Sequence, residues 1–375
     1  MLDQTEPYPG VMPAPKAIEV CITGRCNLTC RYCFYADEMV SLSDLPTERW
    51  LAFFDELGDL AVQRVTLTGG EVFTRRDLFV LIDGVIANKM RYSLLTNGTL
   101  ITGKTIEEFK IGKRRLRLDS IQVSIDGSCA EIHNRSRPPN SFDRALRGLR
   151  LLVENEFPVT VRVTINRHNV DDLENIARLL LEDVGLPGFS TNEAEQMGTA
   201  QCSGQDVVIT PQERYRAMKT LMALSEKYQG RISASAGPLS RAQMFADIEA
   251  RIARGETGIP GRGTLCSCGS VFNKMAVLHD GTMTPCNLIP NLTMGLIGEN
   301  ALKDVWQRHP SINVMRQRRE IPLGSLPTCH DCLYTDFCAG GCPASVVSRG
   351  GQLNERDPLI CYRLYLKENN NHGSV

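Results

Sequence analysis

Cys26, Cys30 and Cys33 stand at CxxxCxxC spacing, close enough for three thiolates to converge on one metal centre from a single loop. Three thiolates satisfy three irons of a cubane 4Fe–4S cluster and leave the fourth iron without a protein ligand, able to take a small chelating molecule. A second concentration of thiols comes late in the chain. Cys266, Cys268 and Cys286 are followed by Cys329, Cys332, Cys338, Cys342 and Cys361, in CxC and CxxC groupings. Fourteen cysteines in 375 residues, with no basic stretch and apolar core of an export signal at the start, point to metal in a reducing, cytoplasmic compartment rather than to disulfides. Zinc and iron–sulfur clusters both want thiolates, and the spacing alone leaves both open. Cys21, Cys129 and Cys202 fall outside these groupings, and Cys21, inside a strand, reads as a small buried hydrophobe.

The elements that must position these groups are legible as a period. Short β-branched runs at 18–22, 64–68, 92–95, 121–125, 159–165 and, more weakly, 188–192 alternate with amphipathic stretches at 47–57, 75–87, 142–155 and 171–181. Six strands alternating with helices predict a parallel α/β sheet with right-handed crossovers, open or curved into a partial (β/α)6 TIM-like barrel. The chemistry-bearing residues follow strand ends: Cys26 to Cys33 after the first, Gly69-Gly70-Glu71 after the second, Thr96-Asn97-Gly98 after the third, Asp126-Gly127 after the fourth. That is the C-terminal edge, where parallel α/β barrels build active sites. Helices are predicted over 211–228, opened by Thr210-Pro211, and over 240–254. From about residue 255 glycine, proline and cysteine crowd together and periodicity fades, as in a small fold stapled by metal. The expected domains are a lead-in at 1–16, a barrel at 17–230, a helical bridge at 231–263, a cysteine-rich domain at 264–365 and a polar tail at 366–375. A formal charge of −1 gives no reason to expect nucleic acid, and no apolar run is long enough to span a bilayer.

The CxxxCxxC loop, with Tyr32 before its last cysteine and a strand before its first, resembles the radical S-adenosylmethionine (SAM) superfamily. The resemblance implies that the open iron chelates the amino and carboxylate groups of SAM and that one electron breaks a C–S bond, giving a 5′-deoxyadenosyl radical. Thr68-Gly69-Gly70-Glu71 resembles the family's second motif, in which the glycines admit the SAM amino group and the acid accepts from it, although Val72 replaces the usual proline. Ser124 and Asp126 in Ser124-Ile125-Asp126-Gly127 match polar contacts to SAM, Arg162 matches an arginine for its carboxylate, and Asn97 a turn near the ribose. Tyr32 is carried over with them. A plain turn at 96–98 and a surface role for Arg162 are the alternative readings.

The later cysteines are similar to the SPASM extension of peptide-modifying radical SAM enzymes over roughly 264–362. By position, Cys268, Cys286 and Cys342, with Cys266 as fourth ligand, belong to one auxiliary 4Fe–4S cluster, and Cys329, Cys332, Cys338 and Cys361 to another, making three clusters in all. Cys266 is also read as free, leaving an open iron. Sulfatase maturases carry an aspartate directly after the cysteine matching Cys286, and here Asn287 stands there, which disfavours formylglycine formation. The implied function is hydrogen abstraction from a ribosomally made peptide, leading to oxidative C–C or C–S crosslinking, with an external electron donor of flavodoxin or ferredoxin type. Epimerisation, with Cys202 as hydrogen donor, or residue excision is the enzymatic alternative; an iron–sulfur electron carrier or redox sensor is the non-enzymatic one. With about sixteen residues before the first strand, the expectation is either a separate leader-recognition protein or a barrel mouth that binds the peptide itself. The basic runs at 113–117 and 316–319 are read as solvated faces, with an acidic leader as the other use.

Overall fold

The computed structural model describes residues 8–202 and 204–372. Residues 1–7 of the expected lead-in and 373–375 of the expected tail lie outside the described residues. Six strands form where the β-branched runs predict them: β1 (Ala17–Thr23), β2 (Arg64–Gly69), β3 (Arg91–Thr96), β4 (Leu118–Ser124), β5 (Val159–Ile165) and β6 (Phe189–Glu193). Each pairs in parallel with the next in chain order. One face of every strand packs under helices: Ile18, Val20 and Ile22 alternate into the same core as Val65, Leu67, Ile121, Val123, Val161 and Val163. The opposite face carries Glu19, Thr66, Ser93, Ser120, Gln122, Thr160, Arg162 and Ser190. Glu19 on β1 and Arg162 on β5 feel each other's charge across three intervening strands, so the sheet curves and this polar face is its inside.

Two departures from the sequence reading extend this sheet. The stretch expected as a helical bridge begins with a seventh strand, β7 (Ile232–Ala234), parallel to β6, before its helix runs Gly237–Ala253. The cysteine-rich region contributes β8 (Lys274–Val277), parallel to β1, and β9 (Met283–Thr284), antiparallel to β8. Met275 and Val277 join the core of Ile18 and Val20, so the region does not stand apart as a satellite. Both strands are too short for a period-2 pattern to announce them.

The helices follow their caps. Thr210 and Glu213 form a reciprocal capping box with Pro211 next to the cap, and the helix runs Pro211–Lys227. The helix expected from Arg75 starts only at Leu78, because Arg75 is drawn inward, donating to the Ile22 and Leu45 carbonyls and pairing with Asp77. The helix expected over 171–181 is Leu173–Arg178, followed by a widened turn at Leu179–Asp183.

Candidate active site

The end of β1 runs into the three-thiol loop, and the ends of the next strands hold that loop. Gly70 N–H donates to the Thr23 carbonyl and Glu71 N–H to that of Arg25, both at 2.8 Å. A Cβ on Gly69 would lie 2.3 Å from the Thr23 carbonyl oxygen, and one on Gly70 2.3 Å from that of Arg25. The glycines are therefore required by the close passage of the β1 loop, beside the role at the SAM amino group that the resemblance implies. Glu71 is fully buried. It accepts from Thr96 Oγ1 and the Asn97 N–H at 2.7 Å each and from the Phe73 N–H at 3.2 Å. Asn97 in turn donates to Asn27 Oδ1 within the cysteine loop. The second and third strand ends thus form one hydrogen-bonded brace.

Asp126 braces the other side. Its Oδ2 pairs with Arg137 Nε at 2.5 Å and accepts from the Tyr32 hydroxyl, and its Oδ1 accepts from the Thr164 N–H at 2.8 Å. Arg137 also lies over the Tyr32 ring, 5.5 Å from its centroid. Asp126 and Tyr32, expected as contacts to SAM, are thus already engaged in holding the loop. Burial, with Arg137 alongside, pushes His133 down to about 4, and its neutral Nδ1 accepts from the Asp126 N–H. A residue the sequence reading missed completes the brace: Thr199 Oγ1 donates to the Cys30 carbonyl and accepts from the Cys33 N–H. Cys202 ends the same short helical turn, Thr199–Cys202, and is exposed.

The three thiols interact with one another in this brace. Burial pushes Cys26 up to about 11 and Cys33 to about 12, with Cys30 raising both further; Cys30 is raised by burial and held back by Arg137. A bound iron replaces the protons that such buried, clustered thiols retain, so the donor set fits a cluster. Among the described residues no Cys, His, Asp or Glu trio closes to the spacing of a single ion. Ser124 lies directly beside Arg162 across the β4–β5 pair. Arg162 Nη2 donates to Gln122 at 3.2 Å, whereas its buried Nε has no partner among the described residues. A carboxylate such as that of SAM fits this orphaned donor.

The later thiols fall into two sets. Cys286, half-buried, is pushed by desolvation up to about 12, with Glu19, Cys342 and Cys268 raising it further. Cys329, Cys332, Cys338 and Cys361 line one pocket with Arg356 and Tyr334. Cys266 turns its thiol to the Gly261 carbonyl at 3.2 Å. Cys266→Ala is accordingly expected to leave iron and sulfide content unchanged, and elemental analysis of the reconstituted protein checks it; losing a cluster's worth of iron would return Cys266 to the ligands.

Two further residues escaped the sequence reading. Asn287 donates its amide to Glu19, so the absence of an acid at position 287 does not leave the lumen without one. Burial raises the Glu19 carboxyl, against the opposing pull of Lys274, the Asn287 hydrogen bond and Arg162. An acid at an inward position of an otherwise apolar strand was the available signal. Tyr35 bonds His279 Nδ1 at 2.8 Å, fastening the cysteine loop to the segment after β8. The basic runs are solvated in part, with Lys113, Arg115 and Arg319 exposed as expected, and are corrected at three positions. Arg114 is buried against Asp83 and Glu108, and Arg316 and Arg318 are 0% and 1% exposed, because their turns face the interior.

Residues 20–180 match the family model of the radical SAM superfamily, and residues 266–333 that of an iron–sulfur cluster-binding domain, SPASM. The chain is 27% identical to an AdoMet-dependent heme synthase of Methanosarcina barkeri, over 93% of this chain and 97% of that one. It is 25% identical to a PqqA peptide cyclase of Ruegeria pomeroyi (94% and 88%) and 24% to the mycofactocin maturase MftC of Mycolicibacterium smegmatis (93% and 86%). In fold it resembles Streptococcus suis SuiB bound to its precursor peptide SuiA, at TM-score 0.69 and 16% identity, covering 93% of this chain and 76% of that one.

Proposed function

The chain belongs to the radical SAM superfamily and carries a SPASM iron–sulfur domain, and from that premise we propose that it abstracts hydrogen from a residue of a ribosomally synthesised peptide, ending in an oxidative C–C or C–S crosslink. The observation that carries this reading is the juxtaposition, within one curved sheet, of the three-thiol loop after β1 with the contact between Asn287 and Glu19 beside Cys286. Cys26, Cys30 and Cys33 would hold the first cluster, Cys268, Cys286 and Cys342 an auxiliary one, and Cys329, Cys332, Cys338 and Cys361 another, giving three. When bound, the first cluster supplies one electron to the sulfonium of SAM, whose cleavage yields methionine and the 5′-deoxyadenosyl radical.

The chain's own residues do the rest. Arg162 and Ser124 orient the SAM carboxylate, and the Glu71–Asn97–Asn27 brace and the Asp126–Arg137 pair keep the loop in one geometry. Glu19, held by Asn287, takes the proton that an oxidised substrate must release. The inner wall of short hydroxyls and amides suits an extended peptide backbone, which carries a donor and an acceptor at almost every residue. A flavodoxin or ferredoxin type donor would supply the electron, a separate protein would bind any leader, and a cytoplasmic setting would keep the thiols reduced.

Anaerobic reconstitution followed by iron and sulfide analysis, then SAM and a strong reductant, tests this. About twelve irons per chain and 5′-deoxyadenosine that disappears in the Cys26/Cys30/Cys33→Ala variant is the expected result. Zinc instead of iron, or intact SAM, would leave a metal-stapled binding protein. A second reading, a tetrapyrrole substrate, is favoured by the M. barkeri heme synthase likeness; porphyrin-type visible absorption retained after gel filtration with a tetrapyrrole, and none of the mass change in peptides, would select it. Cys202→Ala is expected to leave product yield unchanged, measured by mass spectrometry of the peptide, whereas loss of product with SAM cleavage intact would favour epimerisation.

A further inference from the structure

Arg318 is the most deeply buried charge without a counter-ion beside the later thiols. It opens the turn Arg318–Glu320, immediately before a short antiparallel contact in which Leu265 N–H donates to the Ile321 carbonyl and Leu323 N–H to that of Gly263. That contact ties the chain just after Arg318 to the stretch that leads into Cys266 and Cys268. Arg318 is 1% exposed, and none of its three guanidinium nitrogens has a hydrogen-bond partner among the described residues. The groups whose charge it feels are the thiols of Cys268 and Cys342. Its neighbour Arg316, by contrast, spends Nε and Nη1 on the Val271 and Trp306 carbonyls and lies over the Trp306 ring, with only Nη2 lacking a partner among the described residues.

An unpaired guanidinium is not buried without negative charge to meet it. Neutral thiols supply none. A 4Fe–4S core carries two positive charges in its oxidised state against three or four thiolates, so the assembly is an anion, and reduction makes it more so. We propose that Arg318 is the electrostatic counter-ion of the auxiliary cluster held by Cys268, Cys286 and Cys342, and that it raises the reduction potential of that cluster so that it accepts the substrate's electron. This rests on the assignment of an iron–sulfur cluster to those three cysteines made above. The first site differs in kind: its guanidinium, Arg137, is neutralised by Asp126 at 2.5 Å. A compensated cation at the first thiols and an uncompensated one at the auxiliary thiols orders the potentials, the first cluster low enough to reduce SAM and the auxiliary one higher. Arg356 repeats the arrangement at the other auxiliary set, with buried Nε and Nη1 unpartnered beside Cys338.

The test is a redox titration of the reconstituted holoenzyme followed by electron paramagnetic resonance. Iron content of wild type against the Cys268/Cys286/Cys342→Ala variant first establishes the cluster; equal iron in the two overturns the assignment itself and the inference with it. With the cluster established, Arg318→Gln is expected to lower its midpoint potential by at least a tenfold change in the reduced-to-oxidised ratio, about 59 mV for one electron. Arg318→Lys, which keeps the charge, restores most of the shift, and the first cluster's potential does not move. Should Arg318→Gln fail to assemble the cluster while Arg318→Lys assembles it, the charge requirement stands. An unchanged potential in a fully loaded Arg318→Gln, or equal failure of both variants, overturns the proposal and leaves Arg318 a packing residue.

Discussion

Glu19→Gln is expected to keep 5′-deoxyadenosine formation while lowering modified product by about 10²–10⁴, the range in which positioned acid–base groups act. Glutamine retains an oxygen for the Asn287 amide, so the geometry of the contact survives and only the proton-accepting group is lost. The same variant should gain stability. A carboxyl raised by burial binds its proton more tightly in the folded state. It contributes stability below the unfolded Glu value, about 4.3, and loses that contribution as pH rises through its raised folded value. The advantage of Glu19→Gln in unfolding temperature should therefore widen as pH rises from the unfolded value through the raised folded value, and level off above it. Product and 5′-deoxyadenosine measured together, beside thermal unfolding across pH, check both halves. Product lost in step with 5′-deoxyadenosine would instead make Glu19 part of the SAM-binding geometry.

Asp126→Asn should be the most destabilising single change near the cysteine loop. The substitution leaves Arg137, with 7% of its side chain exposed, facing a neutral amide instead of a carboxylate at 2.5 Å. Breaking one half of a buried ion pair costs about 3–5 kcal/mol, and here the Tyr32 hydroxyl and the Thr164 N–H lose their charged acceptor as well. Denaturant unfolding should show that loss, and the reconstituted variant should hold less iron and cleave no SAM. Combining it with Arg137→Met should recover part of the stability, because the stranded charge is then gone. A single variant within about 1 kcal/mol of wild type would mean that water reaches the pair.

The family, the strand order and the thiols were legible because each is a local property. A CxxxCxxC loop must come from one turn of chain, and six β-branched runs spaced by amphipathic helices admit few layouts other than sequential parallel pairing. Glu71, Asn97 and Asp126 were found as motif residues, yet what they touch was not legible. The motif resemblance points them at SAM, and the fold adds that Glu71 grips Thr96 and Asn97, and Asp126 grips Tyr32 and Arg137.

By itself the sequence determined which chemistry the chain can host: three thiols on one loop, further sets of thiols late in the chain, and a parallel sheet to carry the first. Only the tertiary structure decided which charges those groups meet. The run at 316–319 looks the same on paper as the run at 113–117, but in the fold Arg318 is buried where it feels the thiols of Cys268 and Cys342, whereas Arg114 is buried in ion pairs with Asp83 and Glu108. Glu19 reads as a stray acid in a strand until the curvature of the sheet sets it among Asn287, Arg162 and Cys286. Spacing along the chain is fixed by covalent geometry. Which charge faces which across a curved sheet is set by long-range packing, to which no single segment holds the key.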